Sequence, residues 1–199
     1  MEERTRLYLA RHGETTTSSE FRYVGHMDVD ITENGVEQMK SLRDRLMNED
    51  LHALFSSDLL RSRKGAEIIS SIHEIEPMAH PEFREINLGI WEGLTREEII
   101  AKFPEDYERR LQDLAYSSIQ NGESFKDLQV RVMKRLSVIL NEWKGKIIVL
   151  LAHGGVNRVI LFDALQLDLQ LLPRIDQDYG CLNIIDYYDD GPVVKLVNG

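Results

Sequence analysis

The sequence is poor in cysteine and in long apolar runs. Its single cysteine, Cys181, excludes an internal disulfide framework. No apolar stretch approaches the roughly 20 residues that a membrane-spanning helix needs. The stretch 1–11 holds only a four-residue apolar run, which is too short for the core of a signal peptide. We therefore expect a cytoplasmic protein that does not interact with a membrane.

Positive charge is also scarce. Lys and Arg number 24 against 34 Asp and Glu, which gives a formal net charge of -10 and a pI near 5.1. Nucleic acids and anionic membrane surfaces are therefore unfavourable partners. An anionic small molecule would need a locally basic pocket.

The length and composition are those of an ordinary globular domain. The chain has 199 residues, of which 42% are hydrophobic and 29% are charged. These values predict one domain over 1–199 that can bury a sizeable core. The middle of the chain, about 86–123, shows helical patterns without a convincing strand, and we interpret it as a helical insertion.

Strands and helices alternate in the first third of the chain. Thr5 to Ala10 and Ala53 to Ser56 have the character of short strands. A helical pattern follows Thr32, which is typical of an N-cap, and a second helix is predicted from Asp58 to Ile72. Such alternation predicts an α/β fold with a mostly parallel central sheet and helices on both of its faces.

The last third continues the same pattern. Ser124 is predicted to cap a long amphipathic helix that runs through Trp143, with Asp127 at the capping-box position. Lys146 to Ala152 is a continuous apolar run, typical of a strand covered on both faces. A helix is predicted from Val156 to Leu165. A hairpin of Leu182 to Tyr188 and Val193 to Val197 is predicted to close the chain.

Four residues suited to binding phosphate follow predicted strands. They are Arg11, His12, Arg61 and His153. Ligands of open α/β sheets bind beyond the carboxyl ends of the strands, so these residues are predicted to meet in one crevice. Arg61 is also unfavourable in the first turn of a helix unless an anion lies opposite it.

This set matches the needs of phosphoryl transfer. A neutral imidazole such as His12 offers a nucleophilic lone pair when its other ring nitrogen donates to a carbonyl. Arg11 and Arg61 can hold the phosphate oxygens in a two-pronged fashion. His153 would add positive charge if protonated. Gly154, with the glycine after it, allows backbone N–H groups at a helix N-terminus to approach the same oxygens.

Five sequence blocks, in order, resemble the histidine phosphatase superfamily, the phosphoglycerate-mutase-like group. The blocks are Arg11-His12-Gly13-Glu14-Thr15, Gly25 to Gly35, Ser57 to Arg61, Glu85 to Gly93, and His153-Gly154. The resemblance implies a three-layer α/β/α sandwich, phosphorylation of His12, and Glu85 as proton donor and later base. It also implies phosphate or substrate binding at Arg11, Ser18, Gly25, Arg61 and Gly154. The proposed reaction requires neither a metal nor another cofactor.

The resemblance favours hydrolysis of a small phosphomonoester, with α-ribazole 5′-phosphate as one candidate substrate. A phosphoglycerate-type mutase is the enzymatic alternative, although Ile86 and Leu88 are aliphatic where such mutases have a basic and aromatic run. A non-catalytic protein that binds phosphorylated ligands is an alternative of another class, and the intact set of five catalytic residues argues against it. The sequence leaves open whether the chain forms a homodimer.

Overall fold

The computed structural model describes residues 4–199 and contains a six-stranded sheet flanked by helices. The strands are β1 (Thr5–Arg11), β2 (Ala53–Ser56), β3 (Met78–Ala79), β4 (Ile147–Ala152), β5 (Leu182–Tyr188) and β6 (Gly191–Leu196). The helices are α1 (Glu33–Leu46), α2 (Leu60–Ser70), α3 (Arg96–Lys102), α4 (Pro104–Gln112), α5 (Phe125–Glu142) and α6 (Gly154–Ala164). Among these described residues, no helix is long and apolar enough to cross a bilayer.

The strand order is β3-β2-β4-β1-β5-β6. The first four strands in that order are parallel, whereas β5 pairs antiparallel with both β1 and β6. The prediction of a mostly parallel sheet with a terminal hairpin is confirmed. Because β1, β2 and β4 are parallel neighbours, their carboxyl ends lie side by side at one edge of the sheet.

Two hydrophobic cores cover the two faces of the sheet. Leu7 and Leu9 of β1 face the core that includes α5 and α6, whereas Tyr8 and Ala10 face the core with α1 and α2. Successive side chains of a strand point to opposite faces, so one strand serves both cores. The continuous apolar run of β4 is explained in the same way, since five of its six residues are buried.

The predicted caps are present. The Thr32 side chain accepts a hydrogen bond from the Gly35 N–H at the start of α1. Ser124 and Asp127 form a reciprocal capping box at the start of α5. Each cap satisfies N–H groups that have no partner inside the helix, so each fixes a helix start that the sequence had indicated.

Several predicted boundaries were wrong by a few residues. Helix α2 begins at Leu60 rather than Asp58, α6 begins at Gly154 rather than Val156, and β6 begins at Gly191 rather than Val193. Strand β3 was missed because its two residues are both exposed and too few to show a period. The predicted helical insertion contains α3, α4 and a short 3-10 helix, Gly89–Trp91.

Candidate active site

The two predicted catalytic histidines lie next to each other at the carboxyl edge of the sheet. His12 directly follows β1 and His153 directly follows the neighbouring β4. Their ring centres are 5.0 Å apart. Arg61 joins them from the first turn of α2, which follows β2. The predicted convergence of these residues is therefore found in the structure, and it follows from the parallel order of three strands.

His12 is held as a neutral imidazole. Its Nδ1 lies 2.8 Å from the Gly13 carbonyl oxygen, which can only accept, so Nδ1 carries the proton. The side chain is buried, and burial, followed by the charges of Arg61 and Arg11, lowers the pKa of His12 well below its usual range. Within residues 4–199 nothing hydrogen-bonds to Nε2. This nitrogen therefore keeps a free lone pair.

His153 is also neutral, and both of its ring nitrogens are engaged. Arg61 Nε donates to Nδ1 at 3.3 Å, and Nε2 is 2.7 Å from the Ser57 hydroxyl oxygen. The ring is fully buried. Burial, and then the charge of Arg61, lowers the pKa of His153 well below its usual range. The surroundings therefore oppose the protonated form considered from the sequence, and positive charge comes from arginines instead.

Arg11 presents an unsatisfied donor beside His12. Its Nη1 donates to the Gln177 carbonyl, and its guanidinium carbon lies 3.8 Å from the ring centre of Tyr179. Its Nε is buried and has no hydrogen-bond partner among residues 4–199. A buried donor without a partner is costly, so an anion bound at this position would be stabilising.

Arg61 is fixed from behind by backbone carbonyls. Only 1% of the residue is exposed. Nη1 donates to the Met27 carbonyl at 2.8 Å and Nη2 to the Gly25 carbonyl at 2.7 Å. The N–H of Gly25 donates to the Glu92 carboxylate at 3.1 Å. The structure thus places Gly25, which the sequence predicted to bind substrate, as a backbone support for Arg61.

Glu85 is hydrogen-bonded to the start of α6. One carboxylate oxygen accepts from the Gly155 N–H at 2.9 Å, and the other accepts from the Ile86 N–H at 2.8 Å. The backbone carbonyl of Glu85 accepts from Arg131 and from His26. The Gly155 N–H, expected from the sequence to face the phosphate oxygens, is therefore occupied by the carboxylate.

Four of these residues, Arg11, His12, Arg61 and Glu85, line a cavity of about 880 Å³. Its phosphate end is formed by Arg11, His12, Arg61, Glu85, Gly155, Arg158 and Tyr179. Its insertion end is formed by Ile86, Leu88, Trp91, Tyr107, Arg110, Leu111, Leu114, Ile119 and Phe125. Ser18, predicted to bind substrate, also lines the cavity, whereas Gly154 and His153 are not among its lining residues.

The cavity is strongly basic although the chain is acidic. Its lining includes five arginines and a single carboxylate, that of Glu85; the arginines are Arg11, Arg22, Arg61, Arg110 and Arg158. The locally basic pocket that an anionic ligand needs is therefore present. Within residues 4–199, no group of three or more His, Cys, Asp or Glu side chains is arranged to hold a metal ion.

Many lining residues of this cavity were not predicted from the sequence, and three of them stand out by their contacts. Tyr179 stacks on Arg11, Arg158 donates to the Ile175 carbonyl at 2.7 Å, and Arg110 is buried in the insertion. None of them directly follows a strand. Arg158 could have been found from helical spacing, because it lies one turn after Gly154 on the helix that His153 begins.

Comparison with known proteins gives consistent results. The family model of the histidine phosphatase superfamily (branch 1) matches residues 7–199. Phosphoserine phosphatase 1 of Hydrogenobacter thermophilus is 30% identical over 193 residues, covering 97% of this chain and 92% of the relative. The adenosylcobalamin/alpha-ribazole phosphatase of Salmonella typhimurium is 26% identical over 193 residues, covering 97% and 96%.

A solved structure shows the same fold. The alpha-ribazole phosphatase from Shigella flexneri superimposes with a TM-score of 0.90 at 24% sequence identity, over 98% of this chain and 96% of that one. The six strands and their flanking helices therefore form the phosphoglycerate-mutase-like α/β fold.

Proposed function

The chain belongs to branch 1 of the histidine phosphatase superfamily, and from this membership we propose that it hydrolyses a small phosphomonoester through a phosphohistidine on His12, without a metal. The observation that carries the proposal is the state of His12. Its imidazole is neutral, with the proton on Nδ1 and the lone pair on Nε2. The guanidinium groups of Arg11 and Arg61 lie beside it and face the same cavity.

In the first half-reaction, His12 Nε2 attacks phosphorus in line with the ester oxygen. The P–O bond to the alcohol breaks as the N–P bond forms, and protonated Glu85 gives its proton to the departing oxygen. Arg11 and Arg61 carry permanent positive charge, which stabilises the negative charge on the equatorial oxygens in the transition state. These arginines supply the electrostatic stabilisation that a metal ion provides in other phosphatases.

In the second half-reaction, the Glu85 carboxylate takes a proton from water. The resulting oxygen nucleophile attacks phosphorus, the N–P bond breaks, and His12 Nε2 recovers its lone pair. Glu85 is then protonated again, so the cycle closes with inorganic phosphate and the alcohol as products. Because Glu85 is bound to the α6 N-terminus through Gly155, the acid keeps a fixed position relative to the histidines.

Two substrates deserve testing first. The relatives' names point to phosphoserine and to α-ribazole 5′-phosphate. We favour hydrolysis over a mutase reaction because Ile86 and Leu88, which follow the acid, are aliphatic where mutases have a basic and aromatic run. We favour catalysis over simple binding because His12, Glu85 and the two arginines all line one cavity.

The test is phosphate release from p-nitrophenyl phosphate with EDTA present, by the wild type and by His12→Ala. We expect turnover by the wild type and a loss of at least about 10³-fold in the variant, because the nucleophile acts as part of a unit. The stability of a ³²P label on the protein then identifies the intermediate. A phosphohistidine is lost in acid and survives alkali, whereas a phosphoester survives acid. An EDTA-sensitive reaction, or label that survives acid, would refute the proposed route. A panel of phosphoserine, α-ribazole 5′-phosphate, 3-phosphoglycerate and sugar phosphates then ranks the substrates.

A further inference from the structure

Arginines of this chain bind carboxylates through one particular edge. Three of them use Nε and Nη2 as a fork that donates to both oxygens of a partner, at 2.6 to 2.8 Å. The pairs are Arg6 with Asp186, Arg84 with Asp58, and Arg131 with Glu123. This two-pronged geometry is the strongest way in which arginine recognises a carboxylate.

In Arg110, the same Nε–Nη2 edge has no carboxylate partner among residues 4–199. Arg110 belongs to α4 and lines the insertion end of the cavity, and only 7% of the residue is exposed. Nη1 donates to the Ser117 carbonyl, whereas Nε and Nη2 have no hydrogen-bond partner in the chain from residue 4 onward. No carboxylate of that stretch forms an ion pair with Arg110. Neither nitrogen is among the fully buried polar atoms without a partner, so both keep some exposure on a residue that lines the cavity.

The charge of Arg110 is poorly compensated. Burial lowers its pKa to about 10, and the charges of Asp113 and Tyr23 oppose this shift only in part. The Asp113 carboxylate accepts hydrogen bonds from the Tyr116 N–H and the Gln170 amide instead. A buried cation without a partner is unfavourable, so this position favours an incoming anion.

The surroundings of Arg110 are aromatic. Its guanidinium carbon lies 4.9 Å from the ring centre of Phe125. Trp91 lines the same end of the cavity, and its indole N–H is buried with no acceptor among residues 4–199. Tyr107 packs 6.1 Å from Trp91, measured between ring centres. The insertion end thus combines apolar walls with the unpaired edge of Arg110, and it has no acidic lining residue.

We propose that Arg110 is a specificity-determining residue whose Nε–Nη2 edge binds a carboxylate on the alcohol part of the substrate. This inference rests on the proposed function, because it assumes that phosphate occupies the other end of the cavity. It narrows the substrate class to phosphomonoesters of hydroxy or phenolic acids, with the ester at His12 and the carboxylate at the insertion end. A single two-pronged donor edge suits a carboxylate better than a second phosphate, which has three oxygens to satisfy.

Matched substrate pairs test this directly. O-phosphoserine and O-phosphoethanolamine differ only in the carboxylate and span a short distance. 4-Carboxyphenyl phosphate and phenyl phosphate differ in the same group at the far side of an aromatic ring. We expect the wild type to prefer the acidic member of at least one pair in kcat/KM. The ratio within that pair should fall roughly tenfold to a hundredfold in Arg110→Gln.

Arg109→Gln is the matched control. Arg109 is the neighbouring arginine of α4, but it is ion-paired with Asp106 at 2.8 Å and does not line the cavity. Both variants lose one positive charge, so a general electrostatic effect would lower the ratio in both. Arg109 Nε also donates to the Ser117 hydroxyl, so this control includes any effect transmitted through Ser117. Arg110→Lys keeps the charge but loses the fork, and we expect it to recover only part of the preference.

The outcomes separate this inference from the proposed function. If the wild type does not hydrolyse p-nitrophenyl phosphate, the proposed function fails. If it does, and neither pair shows a preference that Arg110→Gln removes, the carboxylate subsite is refuted while the phosphatase reaction stands. An equal fall of the ratio in Arg109→Gln, or full recovery in Arg110→Lys, would also overturn the assignment of the Nε–Nη2 edge.

Discussion

The two ends of the cavity are built in different ways. At the phosphate end, His12 and Arg61 come from the junctions of parallel strands with the segments that follow them, and backbone carbonyls fix both side chains. At the insertion end, side chains such as Trp91 and Arg110 come from short helices and from the loops between them. Rigid sheet junctions suit groups that must be held within a fraction of an ångström, whereas an insertion can change shape without disturbing them.

This difference gives the two ends separate tasks. Under the proposed function, the phosphate end binds the group that all phosphomonoesters share, so a change there should lower the turnover of every substrate. Under the same proposal, the insertion end is left to bind the alcohol, so a change there should alter the ratio between substrates. Glu85 joins the two, because it directly precedes the insertion and is bound to α6 at the sheet edge. The predictions below test where this boundary lies.

Among the predictions that test this boundary, the largest effect is expected from Gly155→Ala, which displaces the Glu85 carboxylate from the start of α6. A Cβ at Gly155 would lie 2.3 Å from Glu85 Oε1, so the carboxylate must move. We expect turnover to fall roughly a hundredfold, within the range of general acid catalysis. Alkyl phosphates should lose more than p-nitrophenyl phosphate, because a poor leaving group depends more on protonation. Steady-state kinetics with phosphoserine and p-nitrophenyl phosphate measures both losses.

Gly154→Ala provides the comparison for that variant. The nearest atom to a Cβ at Gly154 is Arg158 Nη1 at 3.2 Å, the end of a flexible side chain. We expect this change to cost less than about tenfold in turnover, with no dependence on the leaving group. Equal losses in the two variants would show that the helix start, rather than the position of Glu85, is what matters.

The sequence was most informative where local chemistry determines the structure. Thr32 and Ser124 were identified as caps because their side chains serve the helix that directly follows them. His12 and His153 were located because each directly follows a strand of apolar residues. Glu85 has no such signal, since Glu82 and Glu92 are carboxylates of the same region, and only the family resemblance selected it.

The rest of the site depends on contacts between distant parts of the chain. Tyr179 lies 168 positions after Arg11 in the sequence, yet its ring stacks on that guanidinium. Arg110 is one of two adjacent arginines, and no local pattern shows which of them is buried. The Gly155 N–H was expected to face phosphate, because the sequence could not show that the Glu85 carboxylate reaches the same helix start. Such facts arise from tertiary packing.

The next prediction concerns stability at acidic pH, which the phosphate end should dominate. His12 and His153 have folded-state pKa values well below the value of about 6.5 expected in the unfolded chain. Below that pH the unfolded chain therefore binds protons that the folded chain does not. The contribution of each histidine to the free energy of unfolding is fully present above about pH 6.5. It is lost as the pH falls towards the folded-state pKa, by about 1.4 kcal/mol per pH unit for each histidine.

Urea unfolding at pH 7.5 and pH 5.5 measures this loss. In His12→Gln, the difference in the free energy of unfolding between the two pH values should be smaller than in the wild type by about 1 kcal/mol. The remaining histidines and the carboxylates are common to both proteins, so their contributions cancel in the comparison. Equal pH dependence in the two proteins would mean that His12 is not a buried neutral group.

The smallest effect is expected from Tyr179, which supports the phosphate end by stacking on Arg11 at the end of β1. The guanidinium of Arg11 lies 3.8 Å from the Tyr179 ring centre, and an interaction of this kind contributes about 1 kcal/mol. Tyr179→Leu should therefore lower kcat/KM about fivefold for every substrate in the panel, whereas Tyr179→Phe, which keeps the ring face, should retain most of the activity. An equal fold-loss for every substrate is the decisive result, because Tyr179 is proposed to act through Arg11, which binds the phosphate. A loss in Tyr179→Leu that is confined to one alcohol would instead assign Tyr179 to substrate selection. Residues that select the substrate would then extend to the carboxyl edge of the sheet.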